Sequence, residues 1–164
     1  MARLHLRRDD TVSFPAFFVT SPSKTEKREF VAEHAFLYLS TQHRRGVRGA
    51  VMIDIDDTLI DRNEKLLHGF QQMKDMYDRI SMLFPVHIVT ARPDSDHDQA
   101  MRMLRGQGIV ISPDRLHMLP ARLYDRSTRH VEEFKWECYK RMNKEHHGVV
   151  ARFGDRLWDV AELA

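Results

Sequence analysis

Residues 50–60, AVMIDIDDTLI, change character in the middle. Ala50-Val51-Met52-Ile53 is a continuous apolar run, and it stops at a cluster of aspartates, Asp54, Asp56 and Asp57. A run this short without polar alternation is the pattern of a strand buried on both faces, as in the centre of a parallel sheet. The pattern recurs downstream. Val86-His87-Ile88-Val89 reads as a second buried strand leading to Thr90, Leu116–Leu119 as a third, and Val149–Phe153 as a fourth leading to Gly154-Asp155.

The intervening segments carry helical spacing. Residues 66–83 place Leu67, Phe70, Met73, Met76, Tyr77, Ile80 and Leu83 on one face, and Pro85 ends the run. Residues 96–105 form a second helix that Gly106 or Gly108 terminates, and His130–Lys144 a third. Upstream, Phe30, Val31, Ala32, Ala35, Phe36, Leu37 and Leu39 recur near helical spacing within residues 24–43, closed by Arg44-Arg45-Gly46. Residues 11–20, TVSFPAFFVT, suit a short strand or packed arm, with Ser21-Pro22-Ser23 as a break. Strands alternating with helices imply a Rossmann-like three-layer α/β/α sandwich around a mostly parallel sheet. The expected organisation is one compact domain, with residues 1–48 as an arm and helix packed on a core of residues 49–164.

Composition agrees with a globular chain. Of 164 residues 42% are hydrophobic and 30% charged, with seven Gly and six Pro, which excludes a disordered or collagen-like protein. Residues 1–48 hold nine Lys or Arg against five Asp or Glu, an excess suited either to an anionic partner or to plain solvation. The single cysteine, Cys138, has no internal disulfide partner and reads as a small buried filler in a reducing compartment. No run has signal-peptide or membrane-spanning length, so the expected location is cytoplasmic with no membrane partner. Among the ten histidines no spacing suits zinc, and His146-His147 reads as a helix-end loop.

In a parallel sheet with helical crossovers the ligand crevice lies at the carboxyl ends of the strands. Asp54, Asp56, Thr58, Thr90, Asp155 and Asp159 follow strands, and Lys135 lies on the helix before the last one. The four stretches VMIDIDDTLI, HIVTARP, FKWECYKR and FGDRLWD resemble, in order, the four motifs of the haloacid dehalogenase-like superfamily. The resemblance frames residues 50–160. It implies a HAD-like core and a magnesium-dependent phosphatase, a phosphoric monoester hydrolase.

The chemistry has a physical logic. A phosphate monoester is anionic, so attack by an ionised carboxylate needs cations beside both groups. By the resemblance, Asp54 is the nucleophile that is transiently phosphorylated, and Asp56 protonates the leaving oxygen and later takes a proton from the hydrolytic water. Magnesium is implied on Asp54, on Asp155 and on the backbone carbonyl of Asp56, with Asp159 holding the metal's water. Thr90 and the backbone N–H groups of Ile55 and Asp57 are implied donors to the phosphoryl oxygens, and Lys135 the neutralising point charge. Thr58 shapes the turn. Arg92 and Arg129 are candidates for a second substrate anion.

Each residue has a plainer rival. In isolation Asp54–Asp57 is a loop or helix cap, Asp155 another cap, and Asp57 a surface residue. Lys140 competes with Lys135 on one helix. The joint placement, rather than any single member, favours the site.

Residues 59–84 leave room only for a small turn and one helix, and residues 120–129 are too few for an inserted cap, so a minimal cap and an open site are expected. Such a site admits a phosphorylated small molecule, a nucleotide or a nucleic-acid end. Uncapped acid-phosphatase and nucleotidase types, and the 3′-phosphatase domain of polynucleotide kinase-phosphatases, are similar in spacing. A non-hydrolytic phosphoacceptor signalling domain and a non-catalytic binding module are the alternatives from other classes. The usual further strand and helix after the fourth motif are missing, so either residues 11–20 fill an edge of the sheet or the chain is shortened.

Overall fold

The computed structural model describes residues 16–18, 25–60 and 70–155, with side-chain environments described from residue 29 onward. The elements in chain order are β1 (Ala16–Phe18), α1 (Thr25–Arg44), β2 (Ala50–Ile53), α2 (Gln71–Ser81), β3 (Val86–Pro93), α3 (His97–Gly106), β4 (Leu116–Leu119), α4 (Thr128–Glu145) and β5 (Val149–Gly154). The strands form one sheet in the order β1-β5-β2-β3-β4, and every pairing is parallel. This is a Rossmann-like α/β arrangement. Ala16–Phe18 lies at one edge against Arg152–Gly154, within the stretch expected there.

All four residues of β2 are buried, as the apolar run requires of a strand covered on both faces. Alternation then separates two layers. Val51, Ile53, Val86 and Ile88 share a core with Val31, Ala35 and Leu39 of α1, Met73 and Ile80 of α2, and Leu104 of α3. Met52 and Val89 pack on the opposite side with Cys138 and Met142 of α4. Each fully buried Leu, Ile, Met or Phe contributes roughly 1.5–3 kcal/mol relative to exposure, so the larger layer supplies most of the hydrophobic stabilisation.

The helix boundaries follow local chemistry. Gly46 at φ +79 and Gly108 at φ +75 end α1 and α3 in the left-handed conformation that glycine tolerates. Gly106, the other expected stop, is the last helical residue of α3. Two of the α1 residues expected on its apolar face, Phe30 and Leu37, are exposed. They lie on the helix side opposite Val31, Ala35 and Leu39, since residues one position before or two after a buried site fall on the far side at 3.6 residues per turn. The second strand runs beyond Val89 to Pro93. The fourth helix begins at Thr128, two residues before the expected His130. Residues 66–69 of the helix expected over 66–83, and residues 11–15 and 19–24, lie outside the described residues. Among the described residues no helix is long and apolar enough to cross a membrane.

Candidate active site

The chain continues from β2 into a tight turn. Asp54 N–H donates to Phe153 O at 3.1 Å, prolonging the β2–β5 pairing by one residue. Ile55 O then accepts from Thr58, Leu59 and Ile60 N–H at 3.3, 2.9 and 3.1 Å. Asp57 adopts φ +57, a left-handed conformation that a short polar side chain accepts more readily than a branched one. Thr58 is fully buried and supplies backbone to this turn, as expected.

Met52 and Asp54 have the same parity, so Asp54 faces α4. There it meets Lys135, whose Nζ donates to Asp54 Oδ1 at 2.9 Å. The two side chains retain only 2% and 8% of their exposure. Removing both charges from water costs several kcal/mol per ion, so such a pair is a poor device for stability. It is a good device for holding an ionised carboxylate at a fixed point beside a cation. Lys135 is the buried lysine of the helix, about two turns from its start, whereas Lys140 is half exposed and pairs with Glu137.

Asp56 points elsewhere. Arg92 clasps it through both oxygens, Nε to Oδ2 at 3.0 Å and a terminal nitrogen to Oδ1 at 2.7 Å. Arg92 reaches that position from the end of β3, where its own backbone N–H donates to Thr90 Oγ1 at 3.2 Å. Thr90 is fully buried, and its hydroxyl accepts this bond while keeping a proton to donate. Asp155 follows β5 and is half-buried. Asp159 lies outside the described residues.

Three groups expected to face substrate already have partners within the chain. The Asp57 N–H is bonded to Ile60 O at 2.7 Å, so the turn uses a donor expected to serve a phosphoryl oxygen. Among the described residues no turn carbonyl accepts from the Ile55 N–H. Arg92, expected to meet a substrate anion, is held by Asp56. Arg129 is largely exposed and pairs with Glu133 one helical turn on, at 2.8 Å. The Arg92–Asp56 clasp was not foreseen, although Arg92 lies two residues beyond Thr90 at the same strand end.

The donor chemistry suits magnesium, a hard cation that takes one or two carboxylates and retains several waters. Asp54 and Asp155 stand at the carboxyl ends of the neighbouring strands β2 and β5. Among the described residues no three His, Cys, Asp or Glu side chains converge as a metal cage.

A second polar cluster lies under the other half of α4, at the amino ends of β3 and β4. His87 Nδ1 is 2.8 Å from His117 Nε2, His87 Nε2 is 2.9 Å from His146 Nε2, and an Arg141 terminal nitrogen is 2.9 Å from His117 Nδ1. Guanidinium only donates, which sets the direction of the whole chain. His117 accepts at Nδ1 and donates from Nε2 to His87, and His87 donates from Nε2 to His146. All three rings are then neutral. Burial, reinforced by His117 and His146, lowers His87 to about 4, and burial with Arg141 nearby lowers His117 to about 4. Cys138, beside them, is pushed up to about 11 by burial and is an inert core thiol. Sequence spacing concealed this cluster; its signal was a histidine inside each of two expected strands, His87 and His117.

Comparison with protein-family models, with curated proteins and with solved structures returns no match to this chain.

Proposed function

We propose that the chain is a magnesium-dependent phosphohydrolase of the haloacid dehalogenase-like type, cleaving phosphate monoesters through an aspartyl-phosphate. The observation that carries the reading is the buried Lys135–Asp54 pair at the carboxyl end of a parallel sheet, with Asp56 two residues further on. Lys135 fixes one oxygen of Asp54 and orients the carboxylate. An Asp54 oxygen attacks phosphorus as the ester oxygen departs, and Asp56 gives that oxygen its proton. Asp56 then takes a proton from water as the water oxygen attacks the aspartyl-phosphate, which releases inorganic phosphate, restores the Asp54 carboxylate and returns Asp56 to the protonated form that began the cycle. Thr90 and Lys135 stabilise the charge that spreads over the phosphoryl oxygens. When bound, magnesium supplies further positive charge there.

Among the described residues nothing is inserted between β4 and α4 beyond short turns. An open rim suits a phosphorylated small molecule or nucleotide, and also the phosphorylated end of a nucleic acid. The clasp on Asp56 favours one competing reading, a phosphoacceptor domain that keeps its phosphoryl group. Turnover decides between them. An aryl phosphate with magnesium is expected to be hydrolysed repeatedly and to resist hydrolysis after chelation. Asp54→Asn is expected to lower turnover by at least about 10³-fold, and Asp56→Asn by roughly 10²–10⁴-fold. Wild-type turnover in Asp54→Asn would remove the nucleophile, and a single slow phosphorylation would favour the signalling reading. Phosphorylated metabolites, nucleotides and 3′- or 5′-phosphorylated oligonucleotides then define the substrate.

A further inference from the structure

Asp56 is clasped in a way that opposes its proposed work. A carboxylate bound through both oxygens by a guanidinium has a lone pair of each oxygen engaged and its orientation fixed on the arginine, not on a leaving group. We propose that Arg92 is a substrate-operated latch: it holds the Asp56 carboxylate while the site is empty, and a dianionic phosphoryl group takes the guanidinium and releases Asp56, which takes up a proton from solvent and turns toward the leaving oxygen. This rests on the phosphohydrolase reading and extends it to the class of anion that opens the site.

Three observations carry the inference. The guanidinium fork matches phosphate as well as it matches carboxylate, so one group serves both partners through the same parallel hydrogen bonds. The Arg92 and Asp56 side chains keep 23% and 18% of their exposure, against 2% and 8% for Lys135 and Asp54. The first pair is thus more open to an incoming anion than the second. Arg92 is also tied at its backbone to the Thr90 hydroxyl, so its side chain pivots from a fixed point beside a proposed phosphoryl donor. The exchange replaces a singly charged carboxylate by a doubly charged phosphate. A phosphomonoester dianion therefore opens the latch, and a phosphodiester, with one charge, competes poorly. Arg92 selects the terminal phosphate by charge.

Binding of inorganic phosphate in magnesium buffer, measured calorimetrically on wild type, Asp56→Asn, Arg92→Gln and the double variant, tests the latch. Asp56→Asn removes the carboxylate's charge from the hold on Arg92 and is expected to bind phosphate about tenfold more tightly than wild type. Arg92→Gln is expected to bind more weakly, and the double variant like Arg92→Gln alone. Thermal melts confirm that each variant is folded, and the Arg92 Nε–Hε resonance of wild type is expected to shift on adding phosphate. If Asp56→Asn gains the same factor with Arg92 removed, simple charge repulsion explains it and the latch is wrong. An unmoved Arg92 resonance in a phosphate-saturated, catalytically active wild type also overturns it. A wild type that neither turns over aryl phosphate nor binds inorganic phosphate overturns the parent reading instead.

Discussion

The two halves of α4 meet the sheet through opposite kinds of polar contact. In the first half Lys135 brings a full charge to Asp54, in a nearly dry contact at the carboxyl ends of the strands. At the far end Arg141 and His146 bracket a chain of neutral imidazoles on β3 and β4, at the strands' amino ends. Both solve the same problem, since a buried polar group must find a partner. They differ in cost. The imidazoles discard their charge and need only hydrogen bonds, whereas the Lys135–Asp54 pair retains two charges in a poorly solvated place. A helix that only needed anchoring would be served by the neutral imidazole arrangement. Charge is kept at the end where the proposed chemistry uses it.

The sharpest way to break this comparison is Lys135→Met, which keeps the apolar stem and leaves Asp54 desolvated without its cation. We expect a loss of about 3–5 kcal/mol in urea denaturation, together with a loss of turnover of at least about 10³-fold. If turnover survived, the charged end would be structural and the contrast between the ends would collapse.

The next effect concerns acid. His87 and His117 have folded values of about 4 against an ordinary 6.5, so the native state holds both neutral while the unfolded chain takes up protons. Their contribution is therefore complete above pH 6.5 and is lost as pH falls from 6.5 toward 4. The rings share a hydrogen bond, so their shifts do not add in full, and about 2–3 kcal/mol is expected to disappear over that window. The double variant His87→Leu/His117→Leu is expected to show a flatter stability profile there. An unchanged acid slope would mean that carboxylates alone produce it. Wild-type ring ¹⁵N spectra give an independent check, with protonated Nε2 and bare Nδ1 expected on His87 and His117 at pH 7.

The smallest effect calibrates the others. Lys140 lies on the same helix, half exposed and paired with Glu137. Lys140→Ala is expected to change stability by no more than about 0.5 kcal/mol and to leave turnover at the wild-type level. A Lys140→Ala defect comparable to that of Lys135→Met would show that α4 responds to any lost charge.

Much of the fold was legible because its signals are local. Continuous apolar runs marked β2, β3, β4 and β5, and the 3.6-residue period marked the helices between them. The misses have particular causes. Phe30 and Leu37 counted toward periodicity by their chemistry, yet both point away from the sheet. The extension of β3 through Arg92 to Pro93 carries polar residues that no apolar pattern reports. At the site, Lys135 is buried beside Asp54 while Lys140 is half exposed beside Glu137, a difference that helix position alone does not report. The loss of the Asp57 N–H to Ile60 depends on a turn conformation that residue types alone do not specify.

The sequence by itself determined the alternation of strand and helix and the gathering of acidic residues at strand ends, because both follow from short-range periodicity and the topology of parallel sheets. Only the tertiary structure decided which polar groups meet. Lys135 finds Asp54 across 81 positions, Arg92 finds Asp56 across 36, and His87 joins His117 and His146 across 30 and 59. Such pairings depend on the packing of whole elements, and burial then makes each partner obligatory, which no local pattern encodes.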